Sequence, residues 1–133
     1  MINELVGKVL DACYEVNREL GAGFAESIYE NALALALKQK GLRVESQIPL
    51  VIRFRGVIVV ELCADLLVED KVLIELKSVA YFADEHFAQM TNYLKATEIE
   101  IGLLVNFGNS RLEFRKFENH CCEANLLADL FKN

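Results

Sequence analysis

The chain has 133 residues, of which 53% are hydrophobic, with a mean hydropathy of +0.23 and a formal net charge of −6. This length suits one domain around one core, spanning residues 1–133, and the apolar content excludes a disordered chain. The acidic balance argues against a broad basic surface gripping nucleic acid. It leaves room for a metal-dependent enzyme, because bound cations reverse the local charge of an acidic site.

So apolar a chain has more hydrophobic surface than a small monomer readily hides, which favours a homo-oligomer. No segment approaches about 18 unbroken apolar residues, so no membrane span is expected. Met1-Ile2-Asn3-Glu4 lacks the basic-then-apolar start of a signal peptide, which points to the cytoplasm. Cys13, Cys63, Cys121 and Cys122 form no CxxC pair, and adjacent cysteines seldom bond to each other, so reduced thiols are expected. His120 beside Cys121 and Cys122 lacks a second ligand pair at zinc spacing.

In chain order, Leu5, Val9, Cys13, Val16 and Leu20 repeat at helical spacing over 2–20. Gly21-Ala22-Gly23 breaks that helix. A second helix is expected over 24–40, its apolar stripe carried by Ala25, Ile28, Tyr29, Ala32, Leu33, Ala36 and Leu37, with Gly41 as stop signal. From Leu42 the pattern turns to strand. Leu50, Ile52 and Phe54 alternate with Val51, Arg53 and Arg55; Arg55-Gly56 is a turn; 57–68 is the next strand; Glu69-Asp70-Lys71 is a second turn; and 72–80 is the third strand of an antiparallel meander. A helix over 84–96 follows, with Asp84 as N-cap. Residues 99–107 form an apolar strand covered on both faces, 108–110 turn, 112–117 form a last strand and 123–131 a closing helix. Helices around a mixed central sheet with a β-meander define an α/β (α+β) domain.

The chemistry concentrates in the meander. Asp65 stands alone in the apolar run Leu62–Val68, where an unpaired acid is costly to bury. The turn at 69–71 places Asp65 opposite Glu75, and directly opposed like charges repel. A positive centre is therefore required: Lys77, which shares a strand face with Glu75, a divalent cation, or both. A structural ion-pair network would explain the cluster equally well. Glu26 and Glu30 share a face of the second helix; helical geometry puts Glu26 nearer the apolar stripe, which makes it the better candidate to face the sheet. His86, Gln89 and Tyr93 share a face of the third helix.

Asp65 followed by Glu75-Leu76-Lys77 resembles the D…(D/E)xK signature of the PD-(D/E)XK nuclease superfamily. Gln89-Met90-Thr91-Asn92-Tyr93 is similar to the QxxxY element of its RecB-like branch, and the α-β-β-β-α-β order matches the superfamily core. Gly23-Phe24-Ala25-Glu26-Ser27-Ile28-Tyr29, together with His86-x-x-Gln89, Asn92-Tyr93-Leu94-Lys95 and Gly102–Phe107, resembles the small bacterial GxxExxY proteins grouped with that superfamily. The proline that precedes the aspartate in the superfamily is Ala64 here.

The resemblance implies a restriction-endonuclease-like core and a nuclease using Mg²⁺ or Mn²⁺. Asp65, Glu75 and the Leu76 carbonyl would be metal ligands, and Glu26 would add a ligand or hold a metal-bound water. Lys77 would orient or activate water or stabilise phosphorane charge. Gln89 and Tyr93 would position Lys77 or a phosphate, with Glu30, Tyr29 and His86 in support. Nucleic acid, DNA in the first instance, would be the substrate, with a protein partner conceivable for grip. The rival reading is a non-catalytic oligomeric binding or scaffolding protein with a nuclease-like fold; the small size and acidic charge favour it, and the complete set of site residues opposes it.

Overall fold

The computed structural model describes residues 2–119. The expected closing helix and the Cys121–Cys122 pair lie outside the described residues. The elements are α1 (Ile2–Leu20), α2 (Glu26–Gln39), β1 (Val44–Phe54), β2 (Val57–Val68), β3 (Val72–Lys77), α3 (Asp84–Lys95), β4 (Ile101–Asn106) and β5 (Glu113–Glu118). They build a five-stranded sheet in the order β1-β2-β3-β4-β5. The first three strands form the expected antiparallel meander, β3 and β4 run parallel, and β5 returns antiparallel.

Strand alternation sorts the sheet residues into two layers. Leu66, Val68, Ile74, Leu76, Leu103 and Val105 join Val9, Val16, Leu33 and Leu37 of α1 and α2 in one core cluster. Leu67, Leu73 and Leu104 join Met90, Tyr93 and Leu94 of α3 in the other. Burial on both faces explains why β4 reads as a continuous apolar run. The α3 layer sits tightly on β4 because Gly102 has no side chain: a Cβ there would meet the Met90 sulfur at 2.5 Å.

Both meander turns place two central residues at positive φ, Arg55 (51°) with Gly56 (79°), and Glu69 (53°) with Asp70 (57°). Mirror-image turns of this kind match the twist of the strands they join. Most boundaries lie within two residues of expectation, and the differences at β3 and α3 have a clear physical cause. β3 stops at Lys77 rather than Ala80, because the Val79 and Ala80 backbones bond to the side chains of Asn106 and Asn109 instead of to a ladder. Asp84 is the first helical residue and not the N-cap; the cap is Ala83, whose N–H donates to His86 Nδ1 at 3.0 Å. β1 begins at Val44, two residues after the change of pattern at Leu42.

The GxxExxY segment is explained by the turn between α1 and α2. The Tyr29 hydroxyl donates to the Gly21 carbonyl at 2.6 Å and accepts the Phe24 N–H at 3.2 Å. Its ring, fully buried, stacks on Phe107 with centroids 4.6 Å apart and planes 6° from parallel. Gly23 adopts φ 110°, which side-chain-bearing residues rarely reach. Tyr29→Phe keeps the stack and removes both hydroxyl bonds, leaving the donor and acceptor short of partners. It should cost about 1–3 kcal/mol in urea unfolding; unchanged stability would show that the clasp does not hold the turn.

Candidate active site

Ladder pairing between β2 and β3 runs from Val68–Val72 to Leu66–Ile74 and then stops. Beyond it β2 stays with β1, and β3 stays with β4. At this fork the two acids take the place of the backbone ladder. The Asp65 N–H donates to Glu75 Oε1 at 2.9 Å, and the Leu76 N–H donates to Asp65 Oδ2 at 2.8 Å. The register expected from the turn therefore holds: Asp65 and Glu75 face each other across the fork.

The acids are held under electrostatic stress. Glu75 is 3% exposed. Burial first, and then the Asp65 charge, push its carboxyl from 4.5 up to about 8; the bond from the Asp65 N–H and the Lys77 charge pull the other way. Glu30 of α2 is raised as well, by burial first and then by the Asp65 charge, with its Gln47 bond opposing. Glu30 is the helical acid beside Asp65, and Glu26 adds its charge at Glu75. Glu30 Oε1 accepts Gln47 Nε2 at 2.6 Å, and Glu30 is half-buried where Glu26 is exposed. The buried face of α2 packs on α1 and on the sheet together, and Glu30 meets Gln47 of β1 at the margin of that face. Glu26 contributes charge at Glu30 as well.

Lys77 is half-buried two residues beyond Glu75, at the C-terminal end of β3. It lowers the Glu75 carboxyl pKa, yet among the described residues it is in no salt bridge with either acid. The purely structural reading, in which Lys77 neutralises both acids, is accordingly weakened.

On α3, Gln89 Nε2 donates to the Tyr93 hydroxyl at 2.9 Å, and that hydroxyl donates to the Cys63 carbonyl at 3.0 Å. The relay ties α3 to β2 two residues from Asp65. Burial first, and then the charges of Glu75 and Asp65, raise Tyr93 to about 12, so its phenol stays a donor. His86 is a helix cap with its ring edge-on to Phe82, and Tyr29 is the turn clasp; neither is hydrogen-bonded to the acids.

Gln47 escaped the sequence reading. It interrupts the β1–β2 ladder with φ 53°, where Ser46 and Ile48 pair but Gln47 does not. Its amide bridges Glu30 to the Cys63 thiol, which donates to Gln47 Oε1 at 3.1 Å. The only sequence signal was its position opposite Asp65 across the first turn of the meander.

The structure thus brings together a mixed sheet between helical layers and a fork where Asp65 opposes Glu75, with Lys77 two residues on. A family model described as the PD-(D/E)XK nuclease superfamily matches residues 3–117, and the chain belongs to that superfamily. Among solved structures, it resembles the crystal structure of SSO0001 with a TM-score of 0.57 at 21% identity, over 77% of this chain and 54% of that one. It also resembles an alkaline exonuclease (LHK-Exo) from Laribacter hongkongensis with a TM-score of 0.52 at 17% identity, over 78% of this chain and 59% of the exonuclease. The chain thus corresponds to little more than half the length of either, and the likeness shows a shared nuclease fold. No curated protein matches the chain.

The pKa of Glu75 sets a pH dependence. Its folded value lies above the ordinary 4.5, so the metal-free folded protein keeps a proton that the unfolded chain has lost. Stability is full below pH 4.5 and falls as pH rises towards about 8, at most by about 1.4 kcal/mol per pH unit. Glu75→Gln should flatten this slope and raise the melting temperature at pH 8 but not at pH 4.5. Parallel pH profiles for variant and wild type, followed by thermal unfolding in chelator, would refute the assignment.

Proposed function

We propose that this chain is a divalent-metal-dependent nuclease that hydrolyses the phosphodiesters of nucleic acid, DNA in the first instance, and that it is a GxxExxY-type member of the superfamily with a RecB-like QxxxY element. The observation that carries this reading is the reciprocal clasp at the fork: two opposed carboxylates, crowded by Glu30 and followed by Lys77.

The donors suit a hard cation such as Mg²⁺ or Mn²⁺, which takes oxygen ligands. Asp65 and Glu75 each hold a backbone N–H through one carboxylate oxygen, and Glu30 hydrogen-bonds Asp65, so three carboxylates lie together at the fork. Raised carboxyl pKa values mark negative charge awaiting a positive partner. Among the described residues no three acidic, histidine or cysteine side chains are already gathered in a coordinating group. We assign Asp65, Glu75 and the Leu76 carbonyl as ligands, with Glu30 and Glu26 as the helical acids that complete the set or hold a metal-bound water. A bound cation supplies Lewis acidity and an activated water.

The chain's own groups do the rest. Lys77 faces the same side as Glu75, where its ammonium orients the attacking water or stabilises charge developing on the phosphate. Gln89 and Tyr93 hold β2 at the distance the clasp requires. Substrate grip is supported by a cleft of about 410 Å³ between α3 and the β1–β2 ribbon, lined by Arg53, Asn92 and Lys95.

A second reading, the oligomeric binding protein, is favoured by one feature. The far end of the β1–β2 ribbon exposes Val51, Phe54, Val57, Ile58, Val59 and Val60 beside Arg53 and Arg55. That apolar and basic arm complements the acidic body of a second copy. Self-association and catalysis are compatible, so cleavage decides between the readings. Wild type with Mg²⁺ or Mn²⁺ should cleave labelled oligonucleotides, and Lys77→Ala should lose about 100-fold or more in rate while keeping its melting temperature. Equal cleavage by both, or none by wild type with either metal, would overturn the nuclease reading. Titration calorimetry with Mn²⁺ should show binding that Asp65→Ala abolishes.

A further inference from the structure

The C-terminal ends of the parallel pair β3 and β4 open onto a cleft of about 580 Å³ that the acid–lysine site does not use. In open α/β sheets this edge is where ligands collect. Three exposed aromatic residues line it from separate elements: Tyr14 of α1 (41% exposed), Tyr81 of the β3–α3 loop (84%) and Phe114 of β5 (38%). Arg111 and Arg115 line the same cleft. Among the described residues neither arginine is in a salt bridge. Arg115 lies over the Phe87 ring at 4.9 Å from its centroid, which fixes its guanidinium without neutralising it. Glu113, also in the lining, is held by Asn109 Nδ2 at 2.9 Å and so is drawn to the asparagine.

The backbone just before Tyr81 is held by side-chain hydrogen bonds. Asn106 is fully buried; its Oδ1 accepts the Val79 and Gly108 N–H groups at 3.0 and 2.9 Å, and its Nδ2 donates to the Val79 carbonyl at 2.8 Å. Asn109 Nδ2 donates to the Ala80 carbonyl at 3.0 Å. Gly108 approaches so closely that a Cβ there would lie 2.1 Å from the Val79 oxygen. Tyr81 is therefore carried by a pinned backbone, and its exposure is a built feature.

We infer that this cleft is a binding subsite for single-stranded nucleic acid, in which the exposed rings, Tyr81 foremost, offer stacking faces to bases while Arg111 and Arg115 hold the adjoining phosphates. Exposed aromatic faces interleaved with unneutralised guanidiniums are what single strands recognise, because every base has a π-face and every linkage a charge. The two arginines stand out on a chain of net charge −6. Tyr81 follows Lys77 by four residues, a span of at most about 14 Å, so a short strand seated here reaches the acid–lysine site. The inference rests on the nuclease reading for its biological sense, and its test is independent of cleavage.

Binding of a fluorescein-labelled twelve-residue oligothymidylate is followed by anisotropy in EDTA, with a duplex of equal length for comparison. Wild type should prefer the single strand. Tyr81→Ala should weaken binding about 5- to 100-fold, as the loss of one stacked base does. Arg111→Ala should reduce the slope of log affinity against log salt by about 0.7, the value of one single-strand phosphate contact. Both residues are exposed, so the fold should be retained. No binding by wild type, a preference for duplex, or unchanged affinity in Tyr81→Ala would overturn the subsite even if cleavage is found. Strand binding lost in the variants, without metal-dependent cleavage by wild type, would uphold the subsite and sink the nuclease reading.

Discussion

The fork between β2 and β3 is the constraint on which the rest of this protein turns. Two strands that begin as an antiparallel ladder must separate, one to form a ribbon with β1 and the other to lie parallel to β4. Separation orphans backbone N–H groups in a half-buried place, where unpaired donors are costly. Asp65 and Glu75 satisfy these groups with carboxylate oxygens, each reaching the opposite strand. The same geometry that completes the hydrogen bonds forces two acids together, so the structural solution creates the electrostatic stress.

Each neighbouring element either adds to that stress or holds its geometry. The α2 helix brings Glu30, tied to the irregular Gln47. The α3 helix brings Gln89 and Tyr93, which clamp β2 at Cys63, and it can sit that close because Gly102 leaves room for Met90. Like charges gathered in low dielectric are expensive without a counter-charge, and structures keep such arrangements where the cost serves chemistry. Lys77, positioned by the β3–β4 pairing, is the nearest positive group on the same strand face, and its position alone does not neutralise the pair.

Much of this was legible in the sequence because local signals agreed with the global fold. The turn at 69–71 fixed the pairing of Asp65 with Glu75, since a side-chain period of two admits no slip once one face is apolar. The continuous apolar run of β4 announced a strand covered on both sides. The place of Gln47 and the early end of β3 depend on partners distant in sequence, here Glu30, Cys63, Asn106 and Asn109. The cap at Ala83 is a local exception, set by the His86 ring three residues on.

By itself the sequence determined the element order, the meander register and the candidate acid–lysine set, because periodicity and turn chemistry act over a few residues. The tertiary structure decided which acids meet, which hydroxyl is a clasp and which aromatic rings stay exposed. Tyr29 and Tyr81 show the division plainly. Both are tyrosines near turns, yet one is sealed under Phe107 and the other stands in solvent on a loop pinned by two asparagines. Only packing between elements, which fixes distances that no local pattern encodes, could separate them.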